Sequence, residues 1–283
     1  MKNLLVPTDF SPTAHNAFEL ALQVARRTGG QVTLLHVVDL PETARYATTG
    51  GLAGGGGLND VYTLKLLQVV KRRMHELMAE AQRTFPGVQV QDLMHTAAFD
   101  DAVLDTIQDR KIDLVVMGTK DHHAWQHVFT GSRTEHVVRL ASCPVLTVKH
   151  PAPNFEVRHI VFASDFSAEA DLAISSLRQV QEVFPEALLH LLDVVSDPGQ
   201  HDKAMLRIHH FADRHQLTHY EPDVFAAPNA SAGIPRFAEQ AHADLVVMLT
   251  HGRAGLSHFF QGSISESVSL HAASPVLTFH AQV

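Results

Sequence analysis

Short apolar runs alternate along the chain with patterns that place apolar residues on one face of a helix. In the first half, the apolar runs are Asn3–Pro7, Val32–Val38, Val88–Met94, Leu114–Met117 and Val145–Val148. Runs this short and continuous are typical of strands buried on both faces of a parallel sheet. Between them lie helical patterns at Thr13–Thr28, Tyr62–Gln82, Asp100–Arg110 and Arg133–Leu140. The alternation predicts an α/β fold with a parallel, doubly wound sheet.

The pattern of strands and helices occurs twice along the chain, as an internal repeat. Leu4–Ser11 (LLVPTDFS) returns as Ile160–Ser167 (IVFASDFS), and the DLVVM that begins at Asp113 returns at Asp244. The second copy is shorter in its middle, because 122 positions separate Asp9 from Gly131 in the first copy and 97 separate the matching pair in the second. We therefore predict two tandem five-stranded domains, residues 1–149 and 157–283, joined by a proline-containing linker at 150–156.

Candidate chemistry collects where the predicted strands end. In a doubly wound sheet, ligands bind beyond the carboxyl ends of the strands. Asp9 and Asp165 each directly follow a strand, so their carboxylates could accept hydrogen bonds from a ribose or an adenine amine. The alternative is local, because Ser11 and Ser167 could cap the following helix while the acid favours the helix dipole.

Each copy also carries glycines and a serine around the loop after its fourth strand. They are Gly118, Gly131 and Ser132 in the first copy and Gly252, Gly262 and Ser263 in the second. Glycine lets the backbone approach a ligand closely, and free N–H groups at a helix start suit a phosphate. An ordinary strand-to-helix turn would use the same residue types.

In combination, these motifs resemble the universal stress protein family over essentially the whole chain. The resemblance rests on VPTDFS from Val6, LLHVVD from Leu34, the Gly-Ser pairs and CPVL from Cys143. It implies that the domains pair through their last strands, Val145–Val148 with Val276–Phe279, as an intramolecular pseudo-dimer. One branch of the family binds ATP through G-x-x-G, nine residues and then G-S/T.

Carried over residue by residue, the resemblance implies two sites for ATP or another adenine nucleotide, with or without Mg²⁺. In the first copy the adenosine side is Pro7, Thr8, Asp9, Val37 and Met117, and the phosphate side is Gly118, Gly131 and Ser132. In the second copy the matching positions are Ser164, Asp165, Val194, Met248, Gly252, Gly262 and Ser263.

Each copy departs from the glycine pattern. Asp121 stands where the first copy should have its second glycine, and its charge would repel a polyphosphate unless Mg²⁺ intervened. Leu249 stands where the second copy should have its first glycine, and Ala163 replaces the strand-end proline. The first site thus looks better for adenosine and the second better for phosphate, with a slight preference for the second as the ATP site.

The composition of the chain bears on which partners, cellular setting and metal sites are expected. The net charge of −8 provides no general attraction to nucleic acid or anionic membrane, and no apolar stretch is long enough to span a bilayer. The single cysteine, Cys143, lies in an apolar run, which predicts a buried, inert thiol and a reducing cytoplasmic setting. Among 21 histidines, His122, His123 and His127 cluster beside Asp121, but solvated surface side chains explain them better than a metal site.

Three functions remain open. The first is a stress-response regulator whose nucleotide occupancy orders the glycine loop and a lid at Gly50–Gly57, and so changes the surface offered to an unknown protein partner. The second is an interaction scaffold that binds no nucleotide. The third is a slow ATPase, for which the sequence offers no catalytic residue. Association of two chains as a homodimer is left open.

Overall fold

A computed structural model describes residues 1–38, 58–119, 133–250 and 264–280. The first domain has five strands and four helices in this part of the chain: β1 (Asn3–Pro7), α1 (Pro12–Thr28), β2 (Gln31–Val37), α2 (Leu58–Thr84), β3 (Gln89–His95), α3 (Phe99–Asp109), β4 (Leu114–Gly118), α4 (Arg133–Leu140) and β5 (Val145–Val148). The second has β6 (His159–Ala163), α5 (Ile174–Val183), β7 (Leu188–Val195), α6 (His201–Arg214), β8 (Tyr220–Ala226), α7 (Ala230–Gln240), β9 (Leu245–Thr250), α8 (Ile264–His271) and β10 (Val276–His280). The predicted alternation of strands and helices is confirmed.

The ten strands of the described residues form one sheet in the order β3-β2-β1-β4-β5-β10-β9-β6-β7-β8. Strands within each domain pair in parallel, and in the described part of the chain the antiparallel pair is the one that joins β5 to β10. The predicted meeting of the two last strands is therefore confirmed. It pairs two edges that would otherwise present unsatisfied backbone groups to other chains.

The central pairing sets one copy of a repeated triplet against the other. Val145, Leu146 and Thr147 face Thr278, Leu277 and Val276 in that order, so the two leucines lie directly opposite each other. Self-complementary pairing of this kind is the antiparallel solution for two copies of the same strand. The two domains are thus related across the middle of the sheet by an approximate two-fold axis.

Helices cover both faces of the sheet. On one face, α1, α2, α5 and α6 pack on a single apolar cluster that runs through both domains, with Phe18, Met74 and Phe211 among its fully buried side chains. On the other face each domain has its own cluster, beneath α3 and α4 in the first and beneath α7 and α8 in the second. Burial of this kind stabilises by roughly 25 cal/mol per Å² of apolar surface. The shared cluster couples the stability of the two domains.

The first helix of each domain begins differently. Ser11 caps α1, because its Oγ accepts a hydrogen bond from Ala14 N at 3.3 Å, and Pro12 occupies the first helical position. Ser167 makes no such bond, so the capping interpretation is wrong for the second copy, where residues 168–173 form a 3-10 helix before α5. Hydrogen bonds from Arg214 and His215 to Asp171, each 2.7 Å, hold this 3-10 helix against α6. Burial acts to raise the pKa of Asp171, but these two partners lower it below its usual value.

In the part of the chain that the structure describes, no helix has the length and apolar character needed to cross a membrane.

Candidate functional site

The predicted adenosine-side residues of the first domain lie at the carboxyl ends of adjacent strands. β1 lies between β2 and β4, so Thr8, Val37 and Gly118 follow or end three neighbouring strands. The edge is held in register because Thr8 N donates to Leu35 O at 2.8 Å. Val37 and Met117 belong to the same apolar cluster, in which Met117 is buried and Val37 half-buried. The structure therefore brings together the strand-end part of the site expected from sequence.

Asp9 shapes the loop that leaves β1. Its Oδ1 accepts a hydrogen bond from Ser11 N at 2.9 Å, and Thr8 Oγ1 accepts one from Phe10 N at 3.0 Å. These bonds hold Phe10 at a φ of 61°, a left-handed conformation that a bulky residue rarely adopts. The turn leaves Asp9 exposed at the edge of the sheet, where a ligand could reach it.

The second domain repeats this turn. Ser167 N donates to Asp165 Oδ1 at 3.0 Å, and Phe166 N donates to Ser164 Oγ at 3.1 Å. Phe166 has a φ of 52°, close to the value at the matching phenylalanine. Both acids thus have a local role in the fold, in addition to any contact with a ligand.

Different side chains support the two turns. In the first domain, the His36 ring lies 4.6 Å from the Phe10 ring and its Nδ1 lies 2.7 Å from Thr8 O, while the Arg73 guanidinium lies 5.5 Å from the centre of the Phe10 ring. His36 therefore supports the turn that leaves β1. Sequence reasoning passed over Arg73, although the helical pattern that contains it was recognised.

An arginine also supports the second turn, but by another route. Arg207 on α6 donates from Nε to Asp165 O at 3.0 Å and from Nη2 to Asp193 Oδ2 at 2.6 Å. Burial raises the pKa of Asp193, and Asp165 adds to this, although the Arg207 guanidinium acts to lower it. This ion pair joins α6 to β7 near the carboxyl end of the strand. Asp193 occupies the place that His36 has in the first domain.

Gly118 has a structural reason to be glycine. A Cβ added there would lie 2.4 Å from the carbonyl carbon and oxygen of Thr13, closer than any real contact permits. The second domain has Leu249 at the matching position, partly buried against the shared apolar cluster. The matching helix start is the 3-10 segment 168–173 rather than a regular α-helix. The domain with glycine at this strand end is thus the one whose first helix starts as a regular α-helix.

The second domain gathers its own strand-end residues. Ser164 and Asp165 follow β6, while Val194 and Met248 lie near the ends of its neighbours β7 and β9. Val194 is covered by α7, because a Cβ added at Gly233 would lie 2.5 Å from Val194 Cγ1.

Apart from Gly118, the predicted phosphate-side residues lie outside the described part of the chain, and their expected contacts stay predictions. These are Gly131, Ser132, Gly252, Gly262 and Ser263, together with Asp121, the cluster of His122, His123 and His127, and the segment Gly50–Gly57.

Cys143 is confirmed as a buried thiol. It is 8% exposed, and burial, followed by the charge of Asp113, raises its pKa to about 12. A thiol with such a pKa carries almost no thiolate at neutral pH and is a poor nucleophile.

Comparison with known proteins adds to this geometry. The model of the universal stress protein family matches the chain twice, at residues 1–149 and 156–280. Universal stress protein Slr1230 from Synechocystis is 24% identical over 294 residues, covering 99% of this chain and 100% of its own length. Universal stress protein MJ0577 from Methanocaldococcus jannaschii is 28% identical over 155 residues, covering 52% of this chain and 94% of its own.

Solved structures show the same fold over both domains. A universal stress protein from Archaeoglobus fulgidus superimposes with a TM-score of 0.72 at 19% identity, covering 99% of this chain and 98% of its own. A second from Pseudomonas aeruginosa gives 0.61 at 18% identity, covering 99% and 93%. The tandem arrangement therefore extends across the full length of these relatives.

Proposed function

This chain belongs to the universal stress protein family, and we propose that it binds an adenine nucleotide at the carboxyl edge of its sheet and acts as a nucleotide-dependent regulator in the cytoplasm. One observation carries the proposal. Three neighbouring strand ends bring the exposed carboxylate of Asp9, the apolar side chains of Val37 and Met117, and the side-chain-free Gly118 to the same edge. An acceptor for ribose hydroxyls beside an apolar surface for a base suits an adenosine.

The first domain is the better adenosine site. It keeps Pro7 and Gly118, and its helix α1 starts regularly over the strand ends. In the second domain Leu249 adds a branched side chain at the matching point, and Ala163 replaces the proline. We therefore assign the adenosine to the first domain, whereas the glycine pattern of the phosphate loop alone favours the second.

The phosphates would be held by the loops that follow β4 and β9. In the first domain Gly131 and Ser132 would supply backbone N–H groups and a hydroxyl, and Mg²⁺ would offset the charge of Asp121. In the second, Gly252, Gly262 and Ser263 would do so without an opposing acid. The first site should thus bind AMP and adenosine with affinities close to its affinity for ATP. The second site should prefer ATP more strongly.

The test is nucleotide content and affinity in the full chain. The protein is purified, denatured and its supernatant analysed by chromatography, and ATP, AMP and adenosine are then titrated calorimetrically with and without Mg²⁺. Asp9→Asn and Asp165→Asn form a matched pair, because the amide oxygen can still accept the bond that holds each turn. We expect Asp9→Asn to weaken binding about tenfold, the loss of a charge-assisted hydrogen bond, and Asp165→Asn to change it little.

A protein that is purified empty and ignores millimolar nucleotide would refute the proposal. An equal loss in both variants would show that both domains bind. In the first case the interaction scaffold would be the better account. The branched side chain of Leu249, at the position that Gly118 has in the first domain, favours that account for the second domain. Slow hydrolysis of bound ATP is the third possibility, and we assign no catalytic residue to it.

A further inference from the structure

A buried histidine in the second domain faces two carboxylates on the edge strand of the sheet. His190 lies on β7, directly opposite Glu221 on β8, and Asp223 is two residues further along the same strand. Because side chains alternate between the faces of a strand, all three project from the same face. His190 is 6% exposed, whereas Glu221 is exposed and Asp223 half-buried. The histidine of this group is therefore buried in the protein, whereas its two carboxylates can be reached from solvent.

The three side chains are spaced as metal ligands are. His190 Nδ1 lies 2.9 Å from Asp223 Oδ2 and 3.7 Å from Glu221 Oε2. Ligands of a tetrahedral Zn²⁺, each bound at about 2.0–2.1 Å, lie roughly 3.3 Å from one another. The observed distances fall on both sides of this value, so small side-chain rotations would place all three on one ion.

The histidine is also held as a ligand should be. Its other ring nitrogen, Nε2, lies 3.1 Å from Nδ1 of His159, and the two rings stack with their centres 5.4 Å apart. Phe237 packs edge-on with its ring centre 6.0 Å away. A second partner on the far nitrogen holds the orientation of the ring, as hydrogen-bond partners do around metal-bound histidines.

We propose that His190, Glu221 and Asp223 bind Zn²⁺, with water completing the coordination. In the tautomer that binds the ion through Nδ1, the single ring proton is on Nε2, where it can be donated to Nδ1 of His159, and the metal takes the place of the contact between Nδ1 and Asp223. The ion would fasten the edge strand β8 to β7, which otherwise lies at the open end of the sheet. The site is independent of the nucleotide proposal, because His190 precedes Val194 by four residues, about 13 Å along the strand.

A second group provides a matched comparison. Among the residues that the structure describes, His15, Glu19 and Glu80 are the other cluster with ligand atoms close enough to share an ion. The distances from His15 Nε2 to the two carboxylates are 3.5 and 3.8 Å, and all three side chains are more than a third exposed. Ordering exposed side chains costs conformational entropy, so this group should bind metal more weakly.

The test is Zn²⁺ binding by the full chain in competition with a chromophoric chelator, and the visible spectrum of the Co²⁺-substituted protein. We expect one tight Zn²⁺ per chain and the intense spectrum of tetrahedral Co²⁺. His190→Ala should abolish the site, and His159→Ala should weaken it about 10- to 100-fold. His15→Ala, the control, should leave the tight site unchanged.

Because His190 is buried, its replacement could unfold the domain. Glu221→Gln with Asp223→Asn keeps the size of both partly exposed side chains and should also abolish tight binding while the circular dichroism spectrum stays that of the parent. Zn²⁺ should raise the Tm of the parent but not of this double variant, since a ligand of the folded state stabilises it. Absence of tight binding, or tight binding that survives the double variant, would overturn the proposal.

Discussion

Thr147 on β5 and Thr278 on β10 make the same hydrogen bond in opposite directions across the middle of the sheet. Thr147 Oγ1 donates to Val276 O and Thr278 Oγ1 donates to Val145 O, each at 3.2 Å, and each acceptor belongs to the residue directly opposite. Both threonines are almost fully buried, at 2% and 1% exposed. The approximate two-fold axis between the domains is therefore present at the level of single atoms.

Replacing either threonine with valine should destabilise the protein by about 1 kcal/mol, because the hydroxyl is lost at nearly constant volume. The two variants should cost nearly the same, since their surroundings are equivalent. Urea denaturation measures both, with Thr84→Val as the control, because Thr84 is exposed and bonds to Glu80 O in its own helix. A cost at one threonine alone would contradict the symmetry.

Gly118→Ala should destabilise the first domain by about 1–3 kcal/mol, because the added methyl meets the Thr13 backbone and the start of α1 must move. Gly199→Ala is the matched control: its Cβ would meet only the carboxylate of Asp197, at 3.3 Å. We expect that variant to change the free energy of unfolding by less than about 0.5 kcal/mol. Thermal unfolding compares the two, and equal costs would remove the steric explanation.

Arg207→Met should cost about 2 kcal/mol at pH 7. The Asp193 carboxylate is then left buried without its partner, although the 40% exposure of Arg207 limits the cost. The pKa of Asp193 is already raised, so ionising it costs stability as the pH rises through that pKa, and Arg207 reduces this cost.

The loss of unfolding free energy in Arg207→Met, relative to the parent protein, should therefore be largest at neutral pH. It should shrink as the pH falls and Asp193 is protonated. Urea denaturation at several pH values measures it. Arg158→Met is the control, since Arg158 pairs with Glu156 at 3.1 Å but both side chains are well exposed. A deficit that is constant with pH would show that the arginine acts through packing alone.

Cys143 should react with thiol reagents only when the protein unfolds. With a pKa of about 12 it stays protonated at pH 9, where an ordinary cysteine is about half ionised. The labelling rate of the native protein should thus be far below that of the urea-unfolded protein at the same pH. The raised pKa also means that folding loses stability as the pH rises from about 9 towards 12. Rapid labelling of the native chain at pH 9 would disprove this.

Local sequence located most elements closely. The strands Asn3–Pro7 and Val145–Val148 and the helix Arg133–Leu140 have their predicted bounds, because a buried strand or a single helix face is encoded in consecutive residues. β3 was predicted at Val88–Met94 but spans Gln89–His95, since its end is decided by pairing with β2, where Val37 faces His95. Strand ends depend on the neighbour, which local pattern does not contain.

The amino-acid sequence by itself determined that this protein is two copies of an α/β domain with acids and glycines at the strand ends. Repetition and hydrophobic period are properties of consecutive residues, so they are recognised without knowledge of any contact in space. Only the tertiary structure decided that Ser11 caps a helix while Ser167 does not, that Arg207 pairs with Asp193, and that His190 meets carboxylates on β8. These relationships join residues on different elements, so distance in space, which no sequence pattern records, decides them.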